Sequence, residues 1–122
     1  MISVGVDATE ISRVEAALSR FGERFLARVY TPREVARYRT RVRELAARFA
    51  AKEAVSKALG TGMRYGVAWR QIEIMPDDRG KPLVYLYGRA AERAAELGLT
   101  TFAVSLTHTD DLALAFVVAT RE

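Results

Sequence analysis

The stretch RFAAKEAVSKALGTG, from Arg48 to Gly62, constrains the fold of this chain more than any other segment. Successive residues of an α-helix turn by about 100°, so the small apolar residues of this stretch collect on one side of a predicted helix. They are Ala50, Ala51, Ala54, Val55 and Ala58, joined by Ala47 just before the stretch. Because side chains this small let neighbouring elements approach the helix axis closely, we expect this face to be buried.

The opposite half of the predicted helix carries its charged and polar side chains. It contains Arg48, Phe49, Lys52, Glu53, Ser56, Lys57 and Gly60. A single carboxylate, Glu53, is then expected to stand on an open face among basic side chains, which suits a metal-bound phosphate ligand. The alternative is an ordinary solvated face, because Glu53 and Lys57 have the i, i+4 spacing of common surface ion pairs. Taken alone, the helix favours this alternative.

Composition limits the class of protein. The chain has 122 residues, of which 50% are hydrophobic and 28% charged, and this predicts a single compact domain over residues 1–122. No apolar run approaches the ~20 residues that span a bilayer, and the N-terminus lacks a secretory pattern, so we expect a cytoplasmic protein without a membrane segment. Since the chain has no cysteine, any metal must bind to oxygen ligands or to the lone histidine, His108.

The positive charge is concentrated in the first half of the chain. The net charge is +4, and ten arginines lie there: Arg13, Arg20, Arg24, Arg28, Arg33, Arg37, Arg39, Arg41, Arg43 and Arg48. This pattern predicts an acidic partner, and both a nucleic acid and an acidic protein fit it. No recognisable nucleic-acid-binding motif accompanies the arginines, and the aromatic residues look placed for a core.

The N-terminus predicts a buried strand over residues 1–6, followed by a helix from about Glu10 to Arg20. Asp7 is expected to end the strand. A carboxylate in that position is suited equally to binding a metal and to capping a helix, and Thr9 is a second candidate for the cap.

The remaining elements follow from turn and capping signals. Thr31 and Pro32 predict the start of a short helix that runs through Tyr38, and the central helix is expected from about Arg43 to Gly60. The further predicted elements are strands at 72–75 and 83–87 around the turn-rich segment 77–82, a helix at 90–97 stopped by Gly98, and strands at 101–108 and 112–120. Trp69 is expected to anchor the first of these strands to the core.

Two features allow more than one interpretation. The GTG loop that includes Gly60 and Gly62 exposes backbone that can approach a phosphate, but a simple helix stop explains it better. His108, at the end of a predicted strand, is suited to act as a base, as a phosphate donor or as a packing residue. Considered by itself, it favours packing.

Four motifs together resemble the holo-[acyl-carrier-protein] synthase family. They are GVDATEISR with Asp7, RFAAKEAVSKALGTG with Glu53 and Lys57, RGKP with Gly80, Lys81 and Pro82, and SLTHT with His108. Each motif is ordinary alone, but the four occur in order across almost the whole chain and without large insertions.

The resemblance implies a transferase that moves the 4'-phosphopantetheine arm of coenzyme A to a serine of apo acyl carrier protein and releases adenosine 3',5'-bisphosphate. Such enzymes bind Mg²⁺ through the aspartate of the first motif and the glutamate of the central helix, here Asp7 and Glu53. Mg²⁺ commonly takes one or two carboxylates plus substrate phosphates, so the residue types agree with this role. Lys57 would hold the same phosphates as a point charge.

The resemblance also implies contacts to coenzyme A. Arg48 and His108 would contact its phosphates, and the GTG loop with Gly60 and Gly62 would accommodate the pantetheine end. Gly80, Lys81 and Pro82 would border the nucleotide.

The sequence departs from relatives of this family at two positions. Larger relatives have a further acidic ligand two residues after the metal-binding aspartate, where this chain has Thr9, so we expect a water there. Some members carry an acidic residue directly after the histidine, where this chain has Thr109. The general base stays open among Glu53, a metal-held water and a group on the carrier.

An α+β fold is implied as well, with a small, mostly antiparallel sheet around a long central helix. A homotrimer with an active site at each subunit interface is also implied. Acyl carrier proteins are acidic, so Arg13, Arg20, Arg24 and Arg28 are the expected docking residues. The alternative is an arginine-rich RNA- or protein-binding module without catalysis. The two hypotheses differ at Asp7 and Glu53, which only the enzyme needs together.

Overall fold

The structure is a computed structural model, and it describes residues 1–121. Its strands are β1 (Ile2–Glu10), β2 (Ile72–Pro76), β3 (Pro82–Leu86), β4 (Thr101–His108) and β5 (Leu112–Thr120). Its helices are α1 (Ile11–Phe21), α2 (Glu23–Val29), α3 (Pro32–Tyr38), α4 (Val42–Ala58) and α5 (Gly88–Leu97), with a 3₁₀ turn at Trp69–Gln71. The α+β class is confirmed.

Two antiparallel sheets are formed, and the larger one has the order β1-β5-β4. In it β1 pairs with β5 from Ile2 opposite Thr120 to Glu10 opposite Leu112. The smaller sheet is the β2–β3 hairpin, which was predicted around the same turn. The bounds predicted for β4 and β5 are confirmed to the residue, and α5 ends before Gly98 as expected.

The first strand is longer than the sequence predicted. Asp7 does not end it, because the β1–β5 ladder continues through Asp7 opposite Ala115 and Thr9 opposite Ala113. Thr9 is consequently a strand residue, and its prediction as a helix cap is wrong. α1 starts at Ile11, one residue after the predicted start, and Glu10 precedes it without a capping side-chain hydrogen bond.

The helices between α1 and α4 are short. α3 begins as predicted, with Thr31 and Glu34 in a capping box and Pro32 in the first turn. α2 was not predicted, because its seven residues cover only two turns and are too few for a periodic pattern to stand out. Within residues 1–121, no helix is long and apolar enough to cross a membrane.

The central helix α4 packs its alanine face against the inner side of the larger sheet, as predicted. Ala50, Ala51 and Ala54 are fully buried in an apolar cluster that also contains Val117 of β5. The approach is closest at Gly5 of β1, where an added Cβ would lie 1.8 Å from the carbonyl oxygen of Ala54. Only a residue without a side chain fits there, so β1 and α4 are held at one separation.

We therefore expect Gly5→Ala to destabilise the protein strongly. The added methyl group meets α4 backbone, which cannot move aside as a flexible side chain can, and overpacking of this kind costs about 1–3 kcal/mol or more. Thermal unfolding of Gly5→Ala checks this, with Ala95→Ser on the exposed side of α5 as a control for a small added atom. Equal melting temperatures of the two variants would contradict the close approach.

Candidate active site

The structure brings Asp7, Lys57 and Glu53 together from β1 and α4. The Lys57 ammonium lies 3.1 Å from Oδ1 of Asp7 and donates to the carbonyl oxygen of Val6 at 3.0 Å. Glu53 lies one helical turn before Lys57 and is close enough to Asp7 for their charges to interact. The two acids that the sequence places 46 positions apart therefore lie at one site.

The environment of Glu53 disfavours its negative charge. Partial burial raises the pKa of the Glu53 carboxyl, and the nearby charge of Asp7 raises it further. Lys57 and Arg13 act in the opposite direction. A divalent cation between two carboxylates removes their mutual repulsion, so the site is electrostatically suited to one.

Thr9 orients the aspartate, a role that was not predicted. Its hydroxyl donates to Oδ2 of Asp7 at 3.1 Å, and its side chain is buried. Oδ1 of Asp7 is meanwhile bound by Lys57, so both carboxylate oxygens have a partner. The signal in the sequence is the i, i+2 spacing, which puts Asp7 and Thr9 on the same face of a strand.

The prediction of an open basic face on α4 is wrong for two of its residues. Arg48 is 3% exposed and Lys52 is fully buried, so neither stands beside Glu53 in solvent. Lys52 pairs instead with the buried Glu34 of α3 at 2.7 Å. The sequence pattern treated this half of the helix as one surface, whereas α3 and β2 cover part of it.

Arg48 lines a cavity of about 460 Å³ between α3, α4, the β2–β3 hairpin and β4. Its guanidinium donates to the carbonyl oxygen of Ile74, to Glu44 and to the Tyr38 hydroxyl at 3.1, 3.2 and 2.7 Å. Gly80, Lys81 and Pro82 line the same cavity, together with Arg37 and Arg41. The structure thus joins two of the predicted ligand-binding segments.

His108 is exposed at the end of β4, so its interpretation as a packing residue is wrong. It borders an adjoining cavity of about 350 Å³ with Arg41, Arg43 and Glu44. Arg41 and Glu44 line both cavities, so His108 is a neighbour of the Arg48 cavity but does not border it.

The GTG loop leaves α4 with Gly60 and Gly62 at φ values of 76° and 62°. These left-handed conformations are unfavourable for other residues, which explains both glycines. The amides of Thr61 and Gly62 donate to the carbonyl oxygen of Ser56 at 3.2 and 3.1 Å. This part of the loop therefore ends the helix, which agrees with the simpler interpretation of the GTG sequence.

Arg13, Arg20, Arg24 and Arg28 are all exposed on α1 and α2. Within residues 1–121, none of the four forms an ion pair, whereas arginines further along the chain do. Arg24 and Arg28 border a groove of about 360 Å³ whose apolar wall includes Phe21, Phe25 and Trp69. This surface has the charge and shape to bind an acidic partner that also buries apolar side chains.

The family follows from a comparison of the whole sequence. Residues 3–117 match the family described as the 4'-phosphopantetheinyl transferase superfamily. The chain belongs to this superfamily. The resemblance of the four motifs is thereby confirmed, and the non-catalytic binding module loses its support.

Individual members of the superfamily match over nearly their full lengths. The chain is 50% identical to a holo-[acyl-carrier-protein] synthase of Herpetosiphon aurantiacus, covering 97% of this chain and 98% of the relative. Among solved structures, the synthase of Neisseria meningitidis has a TM-score of 0.89 and 39% identity, with 99% and 100% coverage. The synthase of Helicobacter pylori in complex with coenzyme A has a TM-score of 0.87 and 30% identity, with 96% and 99% coverage.

The donor set of this superfamily member fits Mg²⁺. Asp7 and Glu53 supply hard carboxylate oxygens, and Mg²⁺ commonly uses one or two carboxylates and completes its shell with phosphates and water. Within residues 1–121, no group of three or more histidine, cysteine or acidic side chains is arranged to hold a metal ion. Two carboxylates would leave the remaining positions of such an ion to substrate phosphates and water.

Proposed function

We infer that the chain transfers the 4'-phosphopantetheine moiety of coenzyme A to a serine of apo acyl carrier protein. The observation that carries this inference is the convergence of Asp7, Glu53 and Lys57 in a member of the phosphopantetheinyl transferase superfamily. We place the activity in one domain over residues 1–122 and in the cytoplasm.

In this proposal Asp7 and Glu53 would hold Mg²⁺, which would neutralise charge on the pyrophosphate of coenzyme A as the serine oxygen bonds to the β-phosphorus and adenosine 3',5'-bisphosphate leaves. Thr9 keeps the carboxylate of Asp7 in one orientation. Lys57, half-exposed beside Asp7, turns its ammonium to the phosphates once coenzyme A is bound. Arg13 adds positive charge near Glu53.

The nucleotide end of coenzyme A occupies the cavity bordered by Gly80, Lys81 and Pro82. Lys81 supplies an exposed cation for a phosphate, and Arg48 contributes its charge from the wall of the cavity, where three of its five donors are bound to the protein. His108 reaches phosphate from the adjoining cavity. Gly60 and Gly62 leave room for the pantetheine end.

The assembled form is proposed to be a homotrimer of this chain. The outer face of β1 and β5 exposes a continuous set of large apolar side chains that are 38–71% exposed: Ile2, Val4, Val6, Leu112, Leu114 and Phe116. Such a patch is characteristic of an interaction surface. Val6 of the patch is next to Asp7 in the sequence but points to the other side of the edge strand β1, so a copy bound to the outer face would supply a wall for a large ligand by extending past this edge.

Acyl carrier protein is the proposed acidic partner of the surface formed by Arg13, Arg20, Arg24 and Arg28. The experiment that tests the function is incubation of the protein with apo carrier, coenzyme A and Mg²⁺, followed by mass spectrometry of the carrier. The carrier is expected to gain one phosphopantetheine, and the reaction without metal is the control. A carrier mass that stays unchanged with metal present would reject the function.

For the docking surface we expect Arg24→Glu to raise the KM for the carrier about tenfold and to leave the KM for coenzyme A unchanged. Reversing one interfacial charge costs about 1–2 kcal/mol, and Arg24 borders the groove without lying near the acids of the site. Arg13→Glu is expected to raise the carrier KM too, but it also lowers kcat, because Arg13 interacts with Glu53.

Steady-state kinetics at low and moderate salt check this prediction. Arg121→Glu is the control, since it makes the same charge change after β5, at the end of the sheet away from α1. An unchanged carrier KM in Arg24→Glu would remove this groove from the docking surface.

A further inference from the structure

Lys52 and Glu34 form an ion pair inside the protein. Their side chains are 0% exposed, and the ammonium lies 2.7 Å from Oε1 of Glu34. The ammonium also donates to the carbonyl oxygens of Ile72 at 2.5 Å and Trp69 at 3.1 Å. All three of its hydrogens therefore have acceptors, and they connect α4 to α3 and to the start of β2.

Both carboxylate oxygens of Glu34 also accept hydrogen bonds. Its Oε1 also accepts from the amide of Thr31 at 2.9 Å, and its Oε2 accepts from the amide of Ile74 at 2.8 Å. One carboxylate thus connects the first turn of α3 with the middle of β2. Arg48 adds a parallel connection, because it binds the carbonyl oxygen of the same Ile74 from α4.

These bonds lie between the two halves of the proposed coenzyme A site. On one side, Lys52 is followed directly by Glu53, and α4 meets β1 at the Asp7–Lys57 pair. On the other side, β2 leads into the turn that precedes Lys81. The rotation and axial position of α4 relative to β2 therefore determine the distance between the acidic pair and the nucleotide cavity.

A need for stability alone does not explain a charged pair at this place. Replacing a buried ion pair by apolar residues of similar volume is often neutral or stabilising, because desolvation offsets the attraction. What the pair supplies, and an apolar contact does not, is a set of directional bonds to defined backbone atoms.

We propose that Lys52 and Glu34 are positioning residues that hold α4 and the β2–β3 hairpin in the relative arrangement that binds coenzyme A. The proposal rests on the proposed function. The pair touches neither reacting atom, and its link to the groove of Arg24 and Arg28 is the hydrogen bond from Lys52 to the backbone carbonyl of Trp69. Trp69 of that groove keeps a second support, because its ring stacks on Phe49 of α4 at 4.5 Å. Recognition of the carrier is therefore expected to be independent of the pair.

The test uses two variants of the full chain. Lys52→Met leaves the buried Glu34 without its partner and is expected to be strongly destabilised. The double variant Lys52→Met/Glu34→Gln removes both charges and keeps a side-chain oxygen for one of the backbone amides, so it is expected to fold. In the double variant we expect kcat/KM for coenzyme A to fall about 10- to 100-fold, with the carrier KM unchanged.

Two further measurements separate positioning from stability and from the proposed function. Leu99→Ala, at a buried site that follows α5, is the matched destabilised control and is expected to keep its KM for coenzyme A at temperatures well below its melting point. Coenzyme A binding measured by calorimetry should weaken in the double variant even if no carrier is modified by the wild-type protein. Coenzyme A affinity equal to wild type in the folded double variant would overturn the proposal, as would equal losses for coenzyme A and carrier.

Discussion

Replacing Asp7 with Asn or Glu53 with Gln is expected to lower the rate of phosphopantetheine transfer by about 100-fold or more and to leave the fold intact. Stabilisation of transition-state charge by a bound metal amounts to several kcal/mol, and about 1.4 kcal/mol corresponds to each tenfold in rate. The fold should persist, because the Lys57 side chain of the Asp7–Lys57 pair is half-exposed. Ion pairs this exposed contribute about 0–1 kcal/mol to the free energy of unfolding.

The measurements are initial transfer rates over a range of Mg²⁺ concentrations and the melting temperature of each variant. Glu92→Gln is the matched control, since it removes an exposed carboxylate of α5 away from the site. We expect Glu53→Gln to need more Mg²⁺ for half-maximal rate than the wild type, provided that a residual rate is measurable. Near-normal turnover of either site variant would reject the metal assignment.

Phe116→Glu is expected to convert the proposed homotrimer into monomers and to lower activity more than tenfold. Phe116 is 45% exposed and lies opposite Val6 in the outer apolar face of the larger sheet. Burying a carboxylate in that face leaves it unpaired, and removing an aromatic anchor from an interface typically costs about 2 kcal/mol or more. Activity should fall with assembly, because the site then loses the wall supplied by the neighbouring copy.

Sedimentation velocity of the wild type and the variant checks the change of mass, with circular dichroism to confirm that the monomer is folded. Ala95→Arg introduces a charge of similar size on the exposed side of α5 and should leave the assembly unchanged. A wild-type protein that sediments as a monomer, or an active and monomeric Phe116→Glu variant, would contradict the proposed role of the sheet face.

Local signals in the sequence were sufficient for most of the fold. The bounds of β4 and β5, the Thr31 cap and the turn between β2 and β3 each depend on signals within a few residues, and each is confirmed. The predicted end of β1 was wrong, because the strand ends where its pairing with β5 ends, and β5 lies more than one hundred positions away in the sequence. A carboxylate ends many strands, but a continuous partner strand overrides that tendency.

For the candidate site too, local motifs identified residues that lie together, and predictions that depended on distant packing partners were wrong. Asp7, Glu53 and Lys57 were identified through motifs, and the structure brings them together. The helical projection of α4 assigned Lys52 and Arg48 to an open face, but it contains no information about what packs there. Glu34, the partner of Lys52, is too distant in sequence for any local pattern to connect the two. The hydrogen bond from Thr9 to Asp7 was missed because the strand was predicted to end before Thr9.

The position of Val6 and Asp7 on β1 has a practical consequence for inhibition. Adjacent strand residues point to opposite faces, so the valine faces outward at the apolar surface while the aspartate points inward to Lys57. In the proposed trimer, a small molecule bound between two copies at Val6 would disturb catalysis, because the next residue of the strand is Asp7. Such a compound would not have to resemble a nucleotide or occupy the cavity proposed for coenzyme A.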